Sequence, residues 1–381
     1  MLKKMIYFCF VALFTFYSYA KENKNIVHIY YMHELQPTIF MTADILQRPK
    51  NELKIVFNSN IPEENDYNII PLEMSLHNLT EIQNGSLYKT SDFSKFIEIY
   101  DQYKDANFII HTGIFLSVNR IIPFLNHIPK ERIKEIHLYE SSAGRLKNGW
   151  NVNSFIFDKA VLNACIKYHC IKHTDLLFSL GLIYPTVYHI GFLDDIKQDE
   201  RYKTFWANTS KTNASFVEMN FDKLSEELTQ AQKEQLLSWY GFDYKAYKAE
   251  ISNKKVEMFI VGHAAEYSHT EKVLVAIMDW YQRHKDDKDR ILFVKWGRNE
   301  EILEMLNEEI NVSVRSFFNI PFELLTLSDL LPDKVSGTPS TLFFNLPNEK
   351  IGNIYYLPYK KHIDFLLEKN KISQDQIIDL L

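Results

Sequence analysis

The sequence is poor in the residues that break or loosen secondary structure. Among its 381 residues only 11 are Gly and 12 are Pro, which excludes collagen-like and linker-rich chains. Three common motifs are also absent: G-x-G-x-x-G, G-x-x-x-x-G-K-[ST] and G-x-S-x-G. A standard dinucleotide site, a P-loop and a hydrolase nucleophile elbow are therefore not expected.

Charge and composition are those of an ordinary globular protein. Hydrophobic residues make up 46% of the chain and charged residues 24%, which leaves enough apolar mass for two cores. The length predicts two domains. The formal net charge of −6 argues against a nucleic-acid partner. Aromatic residues are frequent, with 27 Phe and 22 Tyr, and besides filling a core they suit clefts that bind sugars or bases.

The first twenty residues differ from the rest of the chain. Lys3 and Lys4 precede an apolar run from Met5 to Phe16, and the small residues Ser18 and Ala20 follow at the −3 and −1 positions of a cleavage site. This layout predicts a cleaved secretory signal, with an uncleaved anchor as the alternative. No other segment has 18 consecutive apolar residues. The mature chain is therefore expected in the periplasm or cell envelope, soluble or peripherally attached to a membrane.

Two cysteines lie beyond this segment. Cys165 and Cys170 are five residues apart on one predicted helix and point to different sides, so no disulfide is expected. Their spacing to His173 matches no closed zinc pattern. We therefore predict that these side chains pack in a core and that the protein has no metal site.

Short apolar segments rich in β-branched residues alternate with amphipathic segments in the first half of the chain. The predicted strands are Ile26–Tyr31, Leu53–Phe57, Phe108–Thr112, Ile133–Tyr139 and Asp175–Leu180. The predicted helices are Phe93–Tyr103, Phe115–Leu125 and Ser154–His169. Such alternation predicts a parallel sheet with helices on both faces.

The same pattern restarts in the second half. Thr229 and Gln232 form a capping box at the start of a helix that Gly241 ends, and the lysine-rich stretch Tyr244–Lys255 is interpreted as a linker. The later predicted strands are Val256–Val261, Ile291–Trp296 and Ile351–Tyr356. The later predicted helices are Thr270–His284, Glu300–Asn307, Phe322–Leu331 and one or two in the tail His362–Leu381.

Two consecutive doubly wound units predict an α/β protein with two Rossmann-like domains that face a ligand-binding cleft. The signal is expected at residues 1–20 and the N-terminal domain at 21–250. The C-terminal domain is expected at 251–356 and a helical tail at 357–381.

Three polar clusters lie at the ends of predicted strands, where a parallel sheet presents its ligand edge, and a fourth precedes an apolar run. Glu140 could accept a proton from an acceptor hydroxyl, or cap a local amide. Gly262 and His263 stand between a strand and a helix, where backbone amides can approach a phosphate, or where the chain simply turns.

The other two clusters also suit phosphate. Lys295, Gly297 and Arg298 place two cations around a glycine, as in a phosphate site or a solvated loop. Ser340 and Thr341 offer adjacent hydroxyls, to phosphate oxygens or to a helix cap. Glu323, at a predicted helix start, is by default a carboxylate that interacts with the helix dipole.

Several blocks of the sequence resemble the Pasteurella-type bacterial sialyltransferases, which also occur in Photobacterium and Vibrio. The most specific block is Leu330–Gly337, which reads LLPDKVSG. The similar blocks around it and upstream are Ile320–Leu325, Ser340–Phe344, Leu228–Phe242 and Tyr184–His189.

The resemblance implies a GT-B fold and an inverting, metal-independent enzyme without a cofactor. Such enzymes transfer sialic acid from CMP-sialic acid to a galactose-terminated glycan. In that family an aspartate deprotonates the acceptor hydroxyl and a histidine assists departure of the CMP phosphate. A glutamate binds the cytidine and ribose, and a Ser-Ser pair binds phosphate.

The resemblance transfers some of these roles and not others. Glu323 matches the nucleotide-binding glutamate, Ser340 and Thr341 match the hydroxyl pair, and Lys295 matches the lysine of the histidine motif. At the aspartate position stands Ser141, and at the histidine position Gly297.

Two neighbouring side chains offer replacements for the missing groups. Glu140 could serve as the base if the loop begins there, whereas a strand that continues through Ser141 would turn it away from the site. Arg298 could neutralise the developing charge on the leaving phosphate.

The sequence therefore supports a sialyltransferase-type enzyme with a CMP-activated sugar donor and a glycan or glycolipid acceptor such as lipooligosaccharide. A nucleotide- or glycan-binding pseudo-enzyme of the same fold is the second interpretation. A two-domain periplasmic sugar-binding protein is the third.

Overall fold

The computed structural model describes most of the predicted elements. The described residues are 26–32, 35–57, 59, 61–62, 65–73, 91–113, 118–140, 160, 163–164, 180–191, 207, 210–262, 270–285, 289–295, 321–356 and 360–380. They form two compact units that divide between Met219 and Asn220.

The first unit contains a seven-stranded sheet. In chain order its strands are β1 (Ile26–Tyr31), β2 (Leu53–Phe57), β3 (Ile69–Leu72), β4 (Asn107–Gly113), β5 (Ile133–Tyr139), β6 (Val187–Gly191) and β7 (Ala214–Glu218). Their spatial order is β3-β2-β1-β4-β5-β6-β7, and all neighbours are parallel. The central strands are almost entirely buried, as expected for a parallel sheet that helices cover.

Three described helices accompany this sheet: α1 (Leu35–Gln47), α2 (Ser91–Gln102) and α3 (Val118–His127). Helix α2 contributes Phe93 and Phe96, whose rings pack against Phe124 of α3. These aromatic side chains are fully buried, so they account for part of the high phenylalanine content of the sequence.

The second unit contains a five-stranded parallel sheet. Its strands are β8 (Lys255–Ile260), β9 (Arg290–Lys295), β10 (Lys334–Gly337), β11 (Ile351–Tyr356) and β12 (Ile377–Asp379), in the spatial order β12-β11-β10-β8-β9. Its described helices are α4 (Phe221–Glu227), α5 (Gln230–Trp239), α6 (Tyr244–Ile251), α7 (Thr270–His284), α8 (Glu323–Thr326) and α9 (Lys360–Glu368). Helix α7 buries Val273, Ile277 and Trp280 against Phe259 and Tyr355 of the sheet.

The structure corrects three predictions about the second half of the chain. The stretch interpreted as a linker forms helix α6, because the Asp243 side chain caps its first turn and Tyr247 is buried beneath it. The predicted helix Phe322–Leu331 shrinks to the single turn α8. The tail is not purely helical, since its last segment adds β12 in parallel to β11.

The boundary between the units falls before the predicted one at residue 250. Helices α4 to α6 belong to the second unit, where Ser225 Oγ donates a hydrogen bond to Leu327 O. Tyr247 of α6 packs its ring against Phe293 of β9. Burial of these side chains, rather than the charge of the segment, decides where the division lies.

The predicted α/β architecture with parallel sheets is confirmed. The capping box of Thr229 and Gln232 is present, and Gly241 adopts the left-handed conformation (φ 72°) that ends the helix. Three predicted elements lie wholly or largely outside the described residues. They are the helix Glu300–Asn307, the strand Asp175–Leu180 apart from its last residue, and the helix Ser154–His169 apart from three positions. Within the described residues, no helix is long and apolar enough to cross a membrane.

Candidate functional site

The carboxyl edge of the second sheet has a switch point between β8 and β10. The chain passes from β8 to β9 on one side, and later strands extend from β10 to β12 on the other side. In open parallel sheets, ligands bind outside the carboxyl ends of the strands at such a point. The segments that follow β8 and β10 are therefore the favoured ligand-binding segments of this unit.

A buried hydrogen bond joins these two segments. The Gly262 amide donates to Thr338 Oγ1 at 2.6 Å, and the Thr338 amide donates to Ile260 O at 2.9 Å. A Cβ atom on Gly262 would lie 2.6 Å from Pro339 O, so only glycine permits this approach. The amide of Gly262 already donates to a protein acceptor, whereas the sequence had suggested that it approaches a phosphate. Gly262 therefore shapes the site by allowing the two segments to pack closely.

The hydroxyl pair follows directly after this contact. Ser340 precedes the 3-10 turn Thr341–Asn345, and its Oγ accepts a hydrogen bond from the Leu342 amide at 3.3 Å. A hydroxyl that accepts an N–H bond still carries a proton that it can donate. The capping role and a phosphate-binding role of Ser340 are thus compatible.

Lys295 and Glu323 lie near each other in the same unit. Lys295 ends β9, and its carbonyl accepts a hydrogen bond from the Val261 amide at 3.0 Å. Burial raises the pKa of the Glu323 carboxyl, and the positive charge of Lys295 opposes this rise. The structure thus brings together two of the predicted donor-binding residues, one a cation and the other a carboxylate.

Glu140 lies at the carboxyl end of β5 in the first unit. Its amide donates to Ile190 O at 2.8 Å, which continues the pairing of β5 with β6 by one residue. Its side chain is fully buried against Gly191, where any Cβ atom would collide with that of Glu140. This placement favours the geometry in which the strand continues and Glu140 is turned inward.

The other predicted site residues, Ser141, His263, Gly297 and Arg298, lie outside the described residues. The predicted signal segment and the three cysteines, Cys9, Cys165 and Cys170, lie outside them as well. Their assigned roles remain predictions from the sequence.

The first unit also contains a buried polar network that was not predicted from the sequence. Four strands each carry a fully or nearly fully buried histidine: His28, His111, His137 and His189. His28 Nδ1 lies 3.0 Å from His111 Nε2, and His28 Nε2 lies 3.1 Å from Glu52 Oε2. A histidine inside each of four apolar strands is the sequence signal that could have revealed it.

Helix α1 is attached to the sheet through the same network. Tyr30 donates a hydrogen bond to Asp44 at 2.6 Å, and Arg48 holds the same carboxylate with two nitrogens. Burial lowers the pKa of His28 and lowers that of His111 further, so both imidazoles are neutral near pH 7. Because the rings of His28 and His111 are fully buried, the network belongs to the core of the first unit.

Metal binding has no obvious centre in the described part of the chain. No group of three or more His, Cys, Asp or Glu side chains there could hold a metal ion. One Asp-x-Asp sequence occurs, Asp287-Lys288-Asp289, just before β9. The Asp289 carbonyl accepts a hydrogen bond from the Lys255 amide at the amino end of β8, opposite to the ligand edge.

A family model matches the C-terminal part of the chain. The family described as Sialyltransferase PMO188 matches residues 279–373. This range covers about a quarter of the chain and includes Lys295, Glu323, Ser340 and Thr341. No curated protein matches the chain in sequence.

Solved structures extend the likeness over nearly the whole chain. The GT-B domain of a Photobacterium damselae sialyltransferase has a TM-score of 0.68 at 17% identity, covering 93% of this chain and 99% of that one. A 2,6-sialyltransferase from Photobacterium sp. JT-ISH-224, solved with CMP and lactose, has a TM-score of 0.67 at 15% identity, covering 93% and 78%.

A third structure agrees with these two. The α/β-galactoside α-2,3-sialyltransferase of Photobacterium phosphoreum has a TM-score of 0.65 at 15% identity and covers 94% of this chain and 99% of that one. The fold of the chain is thus GT-B. The resemblance to the bacterial sialyltransferases is confirmed.

Proposed function

We propose that this protein transfers sialic acid, or a related keto sugar acid, from a CMP-activated donor to a galactose-terminated glycan such as lipooligosaccharide. The family match and the fold support the broader glycosyltransferase class. The observation that carries the proposal is the carboxyl edge of the second sheet. There Lys295 ends β9, and Ser340 and Thr341 follow β10, in the region that the family model covers.

The chemistry of these residues suits a nucleotide phosphate. Lys295 supplies a positive charge, and Ser340 and Thr341 supply hydroxyl donors to the phosphate oxygens. A similar protein from Photobacterium was crystallised with CMP and lactose, which agrees with this pair of substrates. In such a transfer the bond between the sugar and the CMP phosphate breaks through an oxocarbenium-like transition state while the acceptor oxygen bonds to the sugar. Groups that stabilise the departing CMP phosphate therefore contribute most.

The altered catalytic positions favour a second candidate function. Ser141 and Gly297 stand where the similar enzymes have their base and their histidine. Loss of both groups without replacement would slow transfer by about 10⁴-fold or more. A chain that binds CMP, but does not release CMP when it is given CMP-sialic acid and lactose, would be a nucleotide-binding pseudo-enzyme.

The expected site of action is the cell envelope, since the N-terminal segment has the layout of a secretory signal. Such a location fits a glycolipid acceptor and peripheral membrane association. Fractionation of the producing cells tests this proposal, and a purely cytoplasmic, uncleaved chain would contradict it.

Substitution of Glu323 should weaken nucleotide binding. We expect Glu323→Ala to reduce CMP affinity by about 1–3 kcal/mol, the usual loss for a charge-assisted hydrogen bond. Isothermal titration calorimetry measures this change, with Glu349→Ala, an exposed carboxylate in the same unit, as the control. Unchanged CMP binding by Glu323→Ala would remove this residue from the site, and a wild-type chain that does not bind CMP would refute the donor assignment.

Transfer should not depend on a divalent metal. We expect activity to persist in EDTA, because Lys295 and Arg298 offer positive charge to the phosphate and Ser340 and Thr341 offer hydroxyl donors. The single Asp-x-Asp sequence precedes β9, at the end of the sheet opposite to the ligand edge. Release of CMP from CMP-sialic acid is measured with EDTA and with added Mn²⁺ or Mg²⁺. Activity that disappears in EDTA and returns with metal would contradict this expectation.

A further inference from the structure

We infer that Thr338 is a positioning residue for the phosphate of the donor, although the ligand never touches it. The sequence and the resemblance assign it no role. The inference rests on the proposed function, because it concerns the same CMP-binding edge. It assigns to Thr338 the placement of the hydroxyl pair that follows it.

The first observation is the double attachment of Thr338 to β8. Its amide donates to Ile260 O at 2.9 Å, and its Oγ1 accepts the Gly262 amide at 2.6 Å. These two bonds fix both the backbone and the side chain of Thr338 against the end of the neighbouring strand. Thr338 is fully buried, so it can influence a ligand only through the residues next to it.

The second observation is the packing of its two neighbours. A Cβ atom on Gly337 would collide with the Ile260 carbonyl, and Pro339 O lies close enough to Gly262 to exclude a Cβ atom there. The proline also restricts the backbone through its fixed φ angle. Consecutive residues from Gly337 to Pro339 are thus held against β8 without room for adjustment.

Ser340 follows immediately and begins the 3-10 turn. Its position is therefore set by the attachment of Thr338 two residues earlier. Loss of the Thr338 hydroxyl would leave the buried Gly262 amide without its acceptor, and the segment would leave its binding-competent position part of the time. The apparent affinity of a ligand falls by the fraction of molecules that remain competent.

The consequence is selective for the phosphate. The segment after β10 carries the hydroxyls, whereas Glu323, matched to the cytidine and ribose, belongs to a separate turn. Removal of the Thr338 hydroxyl should therefore weaken CMP much more than cytidine. A general loss of folding would weaken both ligands alike.

The test compares Thr338→Val, which keeps the shape of the side chain but cannot accept a hydrogen bond, with Thr338→Ser, which retains the hydroxyl. Thr42→Val is the matched control, because Thr42 is equally buried and its hydroxyl bonds only to Thr38 O within α1. Calorimetry of the purified chain with CMP and with cytidine gives both affinities. We expect Thr338→Val to lower the CMP affinity by about tenfold and the cytidine affinity by less than about twofold. Thr338→Ser should retain most of the CMP affinity that Thr338→Val loses.

Each result separates this inference from the proposed function. Equal losses for CMP and cytidine, or an unchanged CMP affinity in Thr338→Val, would overturn the role of Thr338 while the donor site stands. A wild-type chain that binds neither ligand would overturn the donor site and this role with it. If Thr338→Val does not fold, hydrogen exchange of the Gly262 amide is measured in wild type and in Thr338→Ser. Slow exchange in both proteins supports the hydrogen bond from Gly262 to Thr338. Fast exchange in wild type refutes it.

Discussion

Replacement of Ser141 by aspartate is expected to raise transfer from CMP-sialic acid to lactose by about 10²–10⁴-fold, the usual contribution of a general base. The resemblance of the sequence assigns Ser141 to the position of the family's catalytic aspartate, and a serine hydroxyl does not accept a proton usefully near neutral pH. We do not expect Glu140 to substitute for this aspartate, because its side chain is buried and its amide still pairs with β6. Initial rates of CMP release measure the gain.

Two further variants test the placement of the base. Ser142→Asp introduces the same charge one residue later and should give no comparable gain. Glu140→Gln should change kcat little if the strand continues through Glu140, but should lower it by about 10²–10⁴-fold if Glu140 is the base. A wild-type chain with high activity that neither Glu140→Gln nor Ser141→Asp alters would refute both placements.

The first unit should lose stability in mild acid. Burial lowers the pKa of His189 to about 3 and lowers those of His28 and His111 from their ordinary value near 6.5. Above pH 6.5 these imidazoles are neutral in both folded and unfolded chains. As the pH falls below 6.5, the unfolded chain binds protons that the folded chain does not, so the free energy of unfolding decreases. For His189 alone the loss is about 2 kcal/mol at pH 5.

Chemical denaturation at several pH values between 8 and 5 measures this loss. The variant His189→Gln cannot titrate, so its stability should fall by about 2 kcal/mol less over the same range. Comparison of the two proteins at pH 8, where the histidine is neutral in both states, isolates the packing cost of the substitution. Equal pH dependence in wild type and variant would show that His189 is not held neutral in the folded chain.

The pH range from 8 to 5 separates the effect of the histidines on stability from that of the carboxylates in the same network. Arg48 and Tyr30 hold the pKa of Asp44 below its ordinary value, and His28 lowers that of Glu52. The stability that these carboxylates contribute is present above their unfolded pKa values of about 4 and is lost only at lower pH. A decline that begins near pH 6.5 therefore reports on the histidines.

Local elements were determined by the sequence alone where the local signal was strong. The strands Ile26–Tyr31, Leu53–Phe57 and Ile133–Tyr139 occur as predicted, because apolar and β-branched residues predominate in each of them. Helix Thr270–His284 likewise has its predicted bounds. The helix Gln230–Trp239 follows its capping box and ends at Gly241, since a cap acts within a single turn.

Weaker local signals were overridden by packing. Helix α6 looked like a linker because of its lysines, yet Tyr247 is buried among residues far away in the sequence. The strand Ile377–Asp379 looked helical, yet it pairs with β11. Pairing with β11 thus outweighed the local signal of the strand, whereas in α6 the Asp243 cap and the burial of Tyr247 show a helix that the charge of the segment had concealed.

The residues of the candidate donor site were found through the sequence, but their arrangement was not. The order of the strands decides that the segments after β8 and β10 meet, and this order depends on how the whole sheet assembles. The bond from Gly262 to Thr338 joins residues that are 76 positions apart, and the contact of His28 with His111 spans 83. Propensity, capping and periodicity act over a few residues, so the sequence determined which strands and turns form, while the tertiary structure alone decided which of their polar groups meet.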